Sequence, residues 1–119
     1  MVLPTYQDIM LPLLKIISDE KEHSNHEIHI KLIKYFKLST SEQAELLPSG
    51  LQLTFSNRCG WARFYLKQAG LININTPFLQ ISKHGKIILE SNPKKINNSF
   101  LRTIAKFEKN IKKIKKKQK

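Results

Sequence analysis

Three groups of residues carry side chains and spacings that chemistry could use. Asp19-Glu20-Lys21 is the one place where Asp, Glu or Gln is followed two positions later by Lys, a spacing that metal-dependent nucleases employ. It falls in a polar turn with no sheet predicted around it to hold a metal, so it reads as a solvated turn. His23, His26 and His29 are spaced three apart, and His26 and His29 could share a helix face. Zinc sites of comparable spacing add paired cysteines or a firmer ligand set, and the only cysteine, Cys59, is distant in sequence. The histidines therefore read as polar surface. Cys59 falls on an apolar stripe at helical spacing, where a small core residue is expected rather than a reactive thiol. The four glycines are scattered and form no phosphate-cradling loop. No catalytic residue, metal or cofactor is expected.

What remains is charge. The 119 residues carry a formal net charge of +12. It is unevenly placed: residues 1–91 hold ten Lys/Arg against eight Asp/Glu, whereas residues 92–119 hold eleven against one. Within the first part, residues 1–45 are net −2 and residues 46–91 net +4, so a basic face can form only in the latter half. The globular part is nearly neutral, so overall charge alone does not carry an argument for nucleic acid. A single cysteine permits no internal disulfide, and a cytoplasmic setting is expected. No apolar run approaches the ~18 residues of a membrane span, and the N-terminus lacks the pattern of a signal peptide.

The elements that must position these residues follow from periodicity and caps. Thr5 with Asp8 caps a first helix whose apolar residues are Ile9, Leu13, Ile16 and Ile17; Pro12 should kink or split it. Asp19 to His23 is a polar turn. Ser24 with Glu27 forms a capping box for a second helix with Ile28, Leu32, Tyr35 and Phe36 on one stripe. Thr40 or Ser41 caps a short third helix through Leu47, ended by Pro48-Ser49-Gly50. Residues 55–69 form the longest clean helical pattern, with Phe55, Cys59, Ala62, Leu66 and Ala69 on one face and Gly70 as terminator. Leu71–Ile74 and Phe78–Ile81 are short strands joined by Asn75-Thr76-Pro77. Ser82 caps a last short helix ending near Asn92. The expected fold is mainly α (α+β): a helical bundle followed by a β-hairpin, the order of a winged helix-turn-helix, over residues 1–92. Residues 93–119 are expected to form a basic amphipathic helix or tail.

Asn57-Arg58-Cys59-Gly60-Trp61-Ala62, then Tyr65-Leu66 and Ala69-Gly70-Leu71, resembles the N-terminal domain of the Mrr family of restriction proteins acting on modified DNA. Pro4-Thr5-Tyr6, Leu47-Pro48-Ser49-Gly50 and Ile81-Ser82-Lys83-His84-Gly85 fit the same pattern, so the resemblance spans roughly residues 4 to 90. It implies a winged helix that recognises DNA, with a metal-dependent nuclease of the Asp…(Glu/Gln)-x-Lys type in a separate C-terminal domain. The expectation is thus a non-catalytic targeting module. Phe64 stands where the family often has small polar or basic residues.

A recognition helix packs one stripe on the domain and presents the other to the major groove. At 100° per residue, the outward side of 55–69 carries Ser56, Asn57, Gly60, Arg63, Phe64 and Lys67. Asn can pair bidentately with adenine, Arg with guanine, and Ser near a helix start can bond a phosphate. Gly60 permits close backbone approach but lowers helix stability. Arg58, nearer the buried face, is expected to pair with a carboxylate or carbonyl. Trp61 is expected to pack against the hairpin or first helix. Lys83 and Lys86 are the electrostatic candidates of the last helix; the hairpin turn (Asn73, Asn75, Thr76) has no cation. Phe100, Ile104, Phe107, Ile111 and Ile114 form a heptad-like seam, with Ser99 as cap and lysines crowded around and beyond it. That segment reads as a docking or linker helix, a homodimer contact through 99–114, or a phosphate-binding arm. The partner is double-stranded DNA, methylated DNA included, with no membrane. Two rival functions are a free-standing winged-helix transcription regulator and a protein-interaction module of the same shape.

Overall fold

A capping box opens the first element: the Thr5 hydroxyl accepts from the Asp8 backbone N–H at 3.2 Å, and the Asp8 carboxylate accepts from the Thr5 N–H at 3.0 Å. In the computed structural model, which describes residues 3–104, 109 and 111–114, helix α1 then runs unbroken through Tyr6–Ile16. Pro12 does not split it. The proline is buried, and the helix keeps its flanking Met10, Leu11, Leu13 and Leu14 in the core.

The expected polar turn ends in an element that periodicity does not reveal. His23–Ser24 forms a two-residue strand β1, and Ser24 then caps helix α2, Asn25–Phe36. Only half of the expected capping box forms. The Ser24 hydroxyl accepts from the Glu27 N–H at 3.1 Å, but the Glu27 carboxylate turns to His23 and Lys31 instead. Helix α3, Thr40–Ala44, is capped by Ser39, whose box with Glu42 is reciprocal. This places the cap before the expected Thr40 or Ser41, and the helix stops before Leu47. Leu46 bridges to Leu53, and the Leu47 N–H reaches the Gln52 carbonyl, closing a loop around the Pro48-Ser49-Gly50 turn.

Helix α4, Thr54–Gln68, follows, and the chain reverses at Gly70, whose φ of +75° suits a residue without a side chain. Strands β2 (Ile72–Asn75) and β3 (Phe78–Ile81) form an antiparallel hairpin, and β1 pairs with the other edge of β3, giving a three-stranded sheet ordered β1-β3-β2. Ser82 caps helix α5, Lys83–Glu90. Gly85 is required there by packing: a Cβ would lie 2.1 Å from the Leu71 carbonyl oxygen, far inside van der Waals contact. Asn97, not Ser99, caps the short helix α6, Asn98–Leu101.

The molecule is therefore α-rich with one small antiparallel sheet. Its core joins Ile9, Leu13 and Leu14 of α1, Ile28 and Leu32 of α2, and Phe55, Cys59, Ala62 and Leu66 of α4 to Leu79 and Ile81 of β3. α1 packs chiefly on α4. The chain continues into this core beyond Asn92, because Ile96, Leu101 and Ile104 are buried in it. Asn98 fixes the crossing, donating its backbone N–H to the Gln7 side-chain oxygen (2.9 Å) and its side-chain amide to the Tyr6 hydroxyl (2.6 Å). Each fully buried Leu or Ile side chain contributes roughly 1.5–3 kcal/mol.

Candidate nucleic-acid interface

α4 is a helix with two characters. Thr54, Phe55, Cys59, Ala62 and Leu66 are buried, and burial pushes the Cys59 thiol up to about 12, so it stays protonated and inert. Arg58 is held as expected: its guanidinium donates to the Leu3 and Pro4 carbonyls at 2.9 and 3.1 Å, tying the N-terminal strand of chain to the helix. Tyr65 stacks on Tyr6 of α1, ring centroids 5.1 Å apart. Trp61 corrects the expectation. It is 47 % exposed, edge-on to Phe64 at 5.6 Å and tilted against Tyr65 at 6.3 Å. One turn earlier than Tyr65, it joins a surface aromatic cluster with Phe64.

The outward face carries the other expected residues. Ser56, Asn57, Gly60, Arg63 and Phe64 are half-buried and Lys67 is exposed. The helix contains three cations and no carboxylate, and its N-cap, Leu53, supplies no side-chain acceptor. The positive end of its dipole is thus left uncompensated. Asn57 donates to the Gln52 side-chain oxygen at a long 3.3 Å. A Cβ at Gly60 would meet only the tip of Arg63, at an ordinary 3.6 Å. Packing does not require a glycine there, in contrast to Gly85.

Arg63 lies at the edge of this face toward α2. Its guanidinium is partly withdrawn from water, which lowers its pKa, and it senses the Cys59 thiol. His29 of α2 lies tilted against Phe55, ring centroids 5.5 Å apart, and burial, then His26 and Arg63, hold its pKa below the usual histidine range. Sequence reading treated His26 and His29 as surface. The signal that could have found His29 is its spacing of three from Leu32 and seven from Phe36, which places it on the flank of the buried stripe.

The other side of the face is partly covered. An open groove of about 810 Å³ is lined by Gln52, Asn57, Gly60, Trp61, Phe64 and Tyr65 from the α4 side and by Ile111 and Ile114 from the helical turn 111–114. Two residues of the expected apolar seam therefore come to the outward face of α4, while Ile104 enters the core. Phe107 and Lys106, Lys115, Lys116, Lys117 and Lys119 lie outside the described residues.

The two cations of α5 are engaged or exposed apart from the α4 face. Lys86 donates to the Glu20 carboxylate at 2.5 Å, which raises its pKa, and Lys83 is exposed. The Gln80 amide also reaches the Glu20 carbonyl, at 2.6 Å. Asn73, Asn75 and Thr76 of the hairpin are exposed, but the Pro77 carbonyl accepts from the Asn25 N–H at 2.9 Å, anchoring the tip to the start of α2.

His23, by contrast with His29, is buried and bracketed: it donates to Asp19 at 2.7 Å and to Glu27. Burial opposes its charge, but the two carboxylates outweigh burial and raise its pKa. Among the described residues no three His, Cys, Asp or Glu side chains come together to hold a metal, and no helix is long and apolar enough to cross a membrane.

These features define a small domain whose longest helix presents a cationic, carboxylate-free face beside an antiparallel hairpin. The family model of the Mrr N-terminal domain matches residues 6–91, and the chain belongs to that family. It is similar to the type IV methyl-directed restriction enzyme EcoKMrr of Escherichia coli strain K12, with 35 % identity over 72 residues. That match covers 60 % of this chain and 23 % of the enzyme, so the likeness is to one segment of a much longer protein. No solved structure matches.

Proposed function

We propose that the chain is the winged-helix DNA-recognition module of a restriction system, with α4 as the major-groove helix and the β2–β3 hairpin as wing. Gly60 carries this reading. A glycine inside a helix lowers stability by roughly 0.5–1 kcal/mol relative to alanine, and the fold has room for a Cβ there. Close approach of another backbone or a base edge to the outward face accounts for it. Asn57 and Arg63 flank it as base-reading and phosphate-binding groups, Lys67 and Ser56 as phosphate contacts, and Phe64 as an apolar contact for a pyrimidine methyl group. Lys83 adds charge at the side; Lys86 does so only by giving up Glu20. The "methyl-directed" description of EcoKMrr supports modified DNA as the target. The module performs no cleavage itself, and residues 1–92 are the reading domain with 93–119 as a docked basic extension. For α4 to enter the groove, the turn bearing Ile111 and Ile114 moves aside, which argues against those residues as a permanent homodimer contact.

The test is anisotropy of labelled methylated and unmethylated duplexes against the wild type, Asn57→Ala and Lys67→Ala. Salt-sensitive binding weakened by both substitutions, with Asn57→Ala changing sequence preference, supports the assignment; binding unaffected by either removes it. A second reading, a protein-docking surface, has its own observation: Leu51 is 89 % exposed, and Leu46, Leu53 and Trp61 are also exposed. Assembly with a protein partner that survives Asn57→Ala and Lys67→Ala while DNA binding is absent would favour it.

A further inference from the structure

The outward face of α4 has two claimants. The groove of about 810 Å³ is lined by Asn57, Gly60 and Phe64, which the recognition reading assigns to DNA, and the chain's own Ile111 and Ile114 line the same space. The two isoleucines are three positions apart on one helical turn, so they share a face. Both are half-buried, Ile111 packs against the core, and the intervening Lys112 and Lys113 are exposed. The α4 side of the groove offers aromatic rings, with Trp61 edge-on to Phe64 at 5.6 Å and Phe64 edge-on to Tyr65 at 5.4 Å. Apolar contact therefore holds the turn. Charge works against it: α4 carries Arg58, Arg63 and Lys67 without a carboxylate, and among the described residues no carboxylate pairs with Lys109, Lys112 or Lys113. Nor is the fit tight, since the groove stays open and Trp61 keeps 47 % of its surface exposed. A cover held by two side chains and opposed by like charges is a weak one.

We propose that the 111–114 turn is an intramolecular occupant of the recognition face, and that duplex DNA displaces it in direct competition. This rests on the DNA-recognition reading and adds to it a closed and an open state. In the closed state Ile111 and Ile114 screen Asn57, Gly60 and Phe64 from a base edge. In the open state the face is bare, and phosphates attract the lysines that α4 repels. The same segment thus has two opposed effects on binding. Its isoleucines subtract affinity, because only the open fraction can bind, and its lysines add it. A duplex can touch the lysines without opening the face, but it cannot reach Asn57 until the turn has left.

Trp61 is the chain's only tryptophan and lines the groove, so its fluorescence reads the cover directly. The full-length wild type, the double variant Ile111→Ser with Ile114→Ser, and the double variant Lys112→Gln with Lys113→Gln are first checked for folding by circular dichroism. They are then compared for acrylamide quenching of Trp61 and for duplex binding over a salt series. Ile114→Ser alone repeats the test should loss of Ile111 from the core disturb folding. Removing the isoleucines is expected to raise the quenching constant and to tighten duplex binding about threefold or more. The lysine variant is expected not to raise quenching, to weaken binding, and to lower the log–log salt slope by up to about 1.8, the loss of two phosphate contacts. If the wild type binds duplex and the isoleucine variants bind it equally well, the competition is overturned while DNA recognition stands. Weaker binding by those variants, with quenching raised, makes the turn part of the DNA contact and overturns it as well. Wild-type quenching that falls as protein concentration rises places the turn of a second copy in the groove and overturns the intramolecular cover. If neither the wild type nor any variant binds duplex, the competition falls together with the recognition reading.

Discussion

Two histidines six residues apart are treated oppositely by the same fold. His23 is 5 % exposed and closed between two carboxylates; His29 is half-buried against the Phe55 ring, with no carboxylate partner among the described residues. The first cluster is electrostatically complete and joins the α1–β1 turn to α2. The second is incomplete and faces the helix proposed to meet DNA. Two arginines repeat the contrast on α4: Arg58 is saturated by backbone carbonyls, and Arg63 is left over. So do two glycines, with Gly85 demanded by packing and Gly60 not. Satisfied residues hold the fold, and unsatisfied ones mark where a ligand completes it.

The largest effect that sharpens this comparison belongs to Gly85. Gly85→Ala pushes a methyl group against the Leu71 carbonyl, which cannot rotate away, and should lower unfolding free energy by about 3 kcal/mol, read by urea titration. Arg58→Gln comes next, with a loss of about 1–3 kcal/mol from removing a charged donor to two carbonyls. Arg63→Gln should leave stability nearly unchanged while weakening duplex binding about tenfold or more; equal stability losses for the two arginines would break the comparison.

The His23 cluster predicts a pH profile. The His23 pKa is raised, so its contribution is fully present below its unfolded value of 6.5 and is lost as pH rises through the folded value. Asp19 and Glu27 are lowered by their bonds to His23, so theirs is present above 3.8 and 4.5 and is lost as pH falls through the folded values. The melting temperature should therefore be highest between about pH 4.5 and 6.5, and His23→Gln should flatten the profile. An unchanged profile would deny the cluster its structural role. The smallest effect is at Gly60: Gly60→Ala should gain about 0.5–1 kcal/mol of stability while duplex binding falls.

Much of this was legible in the sequence because it is local. The Thr5, Ser24 and Ser82 caps, the buried stripe of α4, the reversal at Gly70 and the hairpin each depend on residues a few positions apart. β1 was not legible, since His23-Ser24 is a strand only by pairing with Phe78–Leu79, more than fifty residues away. The Ser39 cap was written as Ser-x-x-Glu but competed with the two hydroxyl residues that follow it, Thr40 and Ser41. Trp61 was expected against the hairpin or first helix, but its ring contacts are with Phe64 and Tyr65 of its own helix, which a helical wheel does not show. The outward face of α4 was read correctly as a face, but the arrival of Ile111 and Ile114 over it depends on how the chain turns after Leu101, which no short-range pattern specifies.

The central claim is that α4 itself meets DNA. Amide chemical-shift mapping of the full-length chain on addition of a methylated duplex tests it most directly. The account predicts shifts concentrated at Ser56, Asn57, Gly60, Arg63, Phe64 and Lys67, with Ile111 and Ile114 shifting as their turn leaves the groove. Shifts confined to the lysines after Lys109, with the α4 amides unmoved, would contradict it and leave the basic extension as the DNA-binding part.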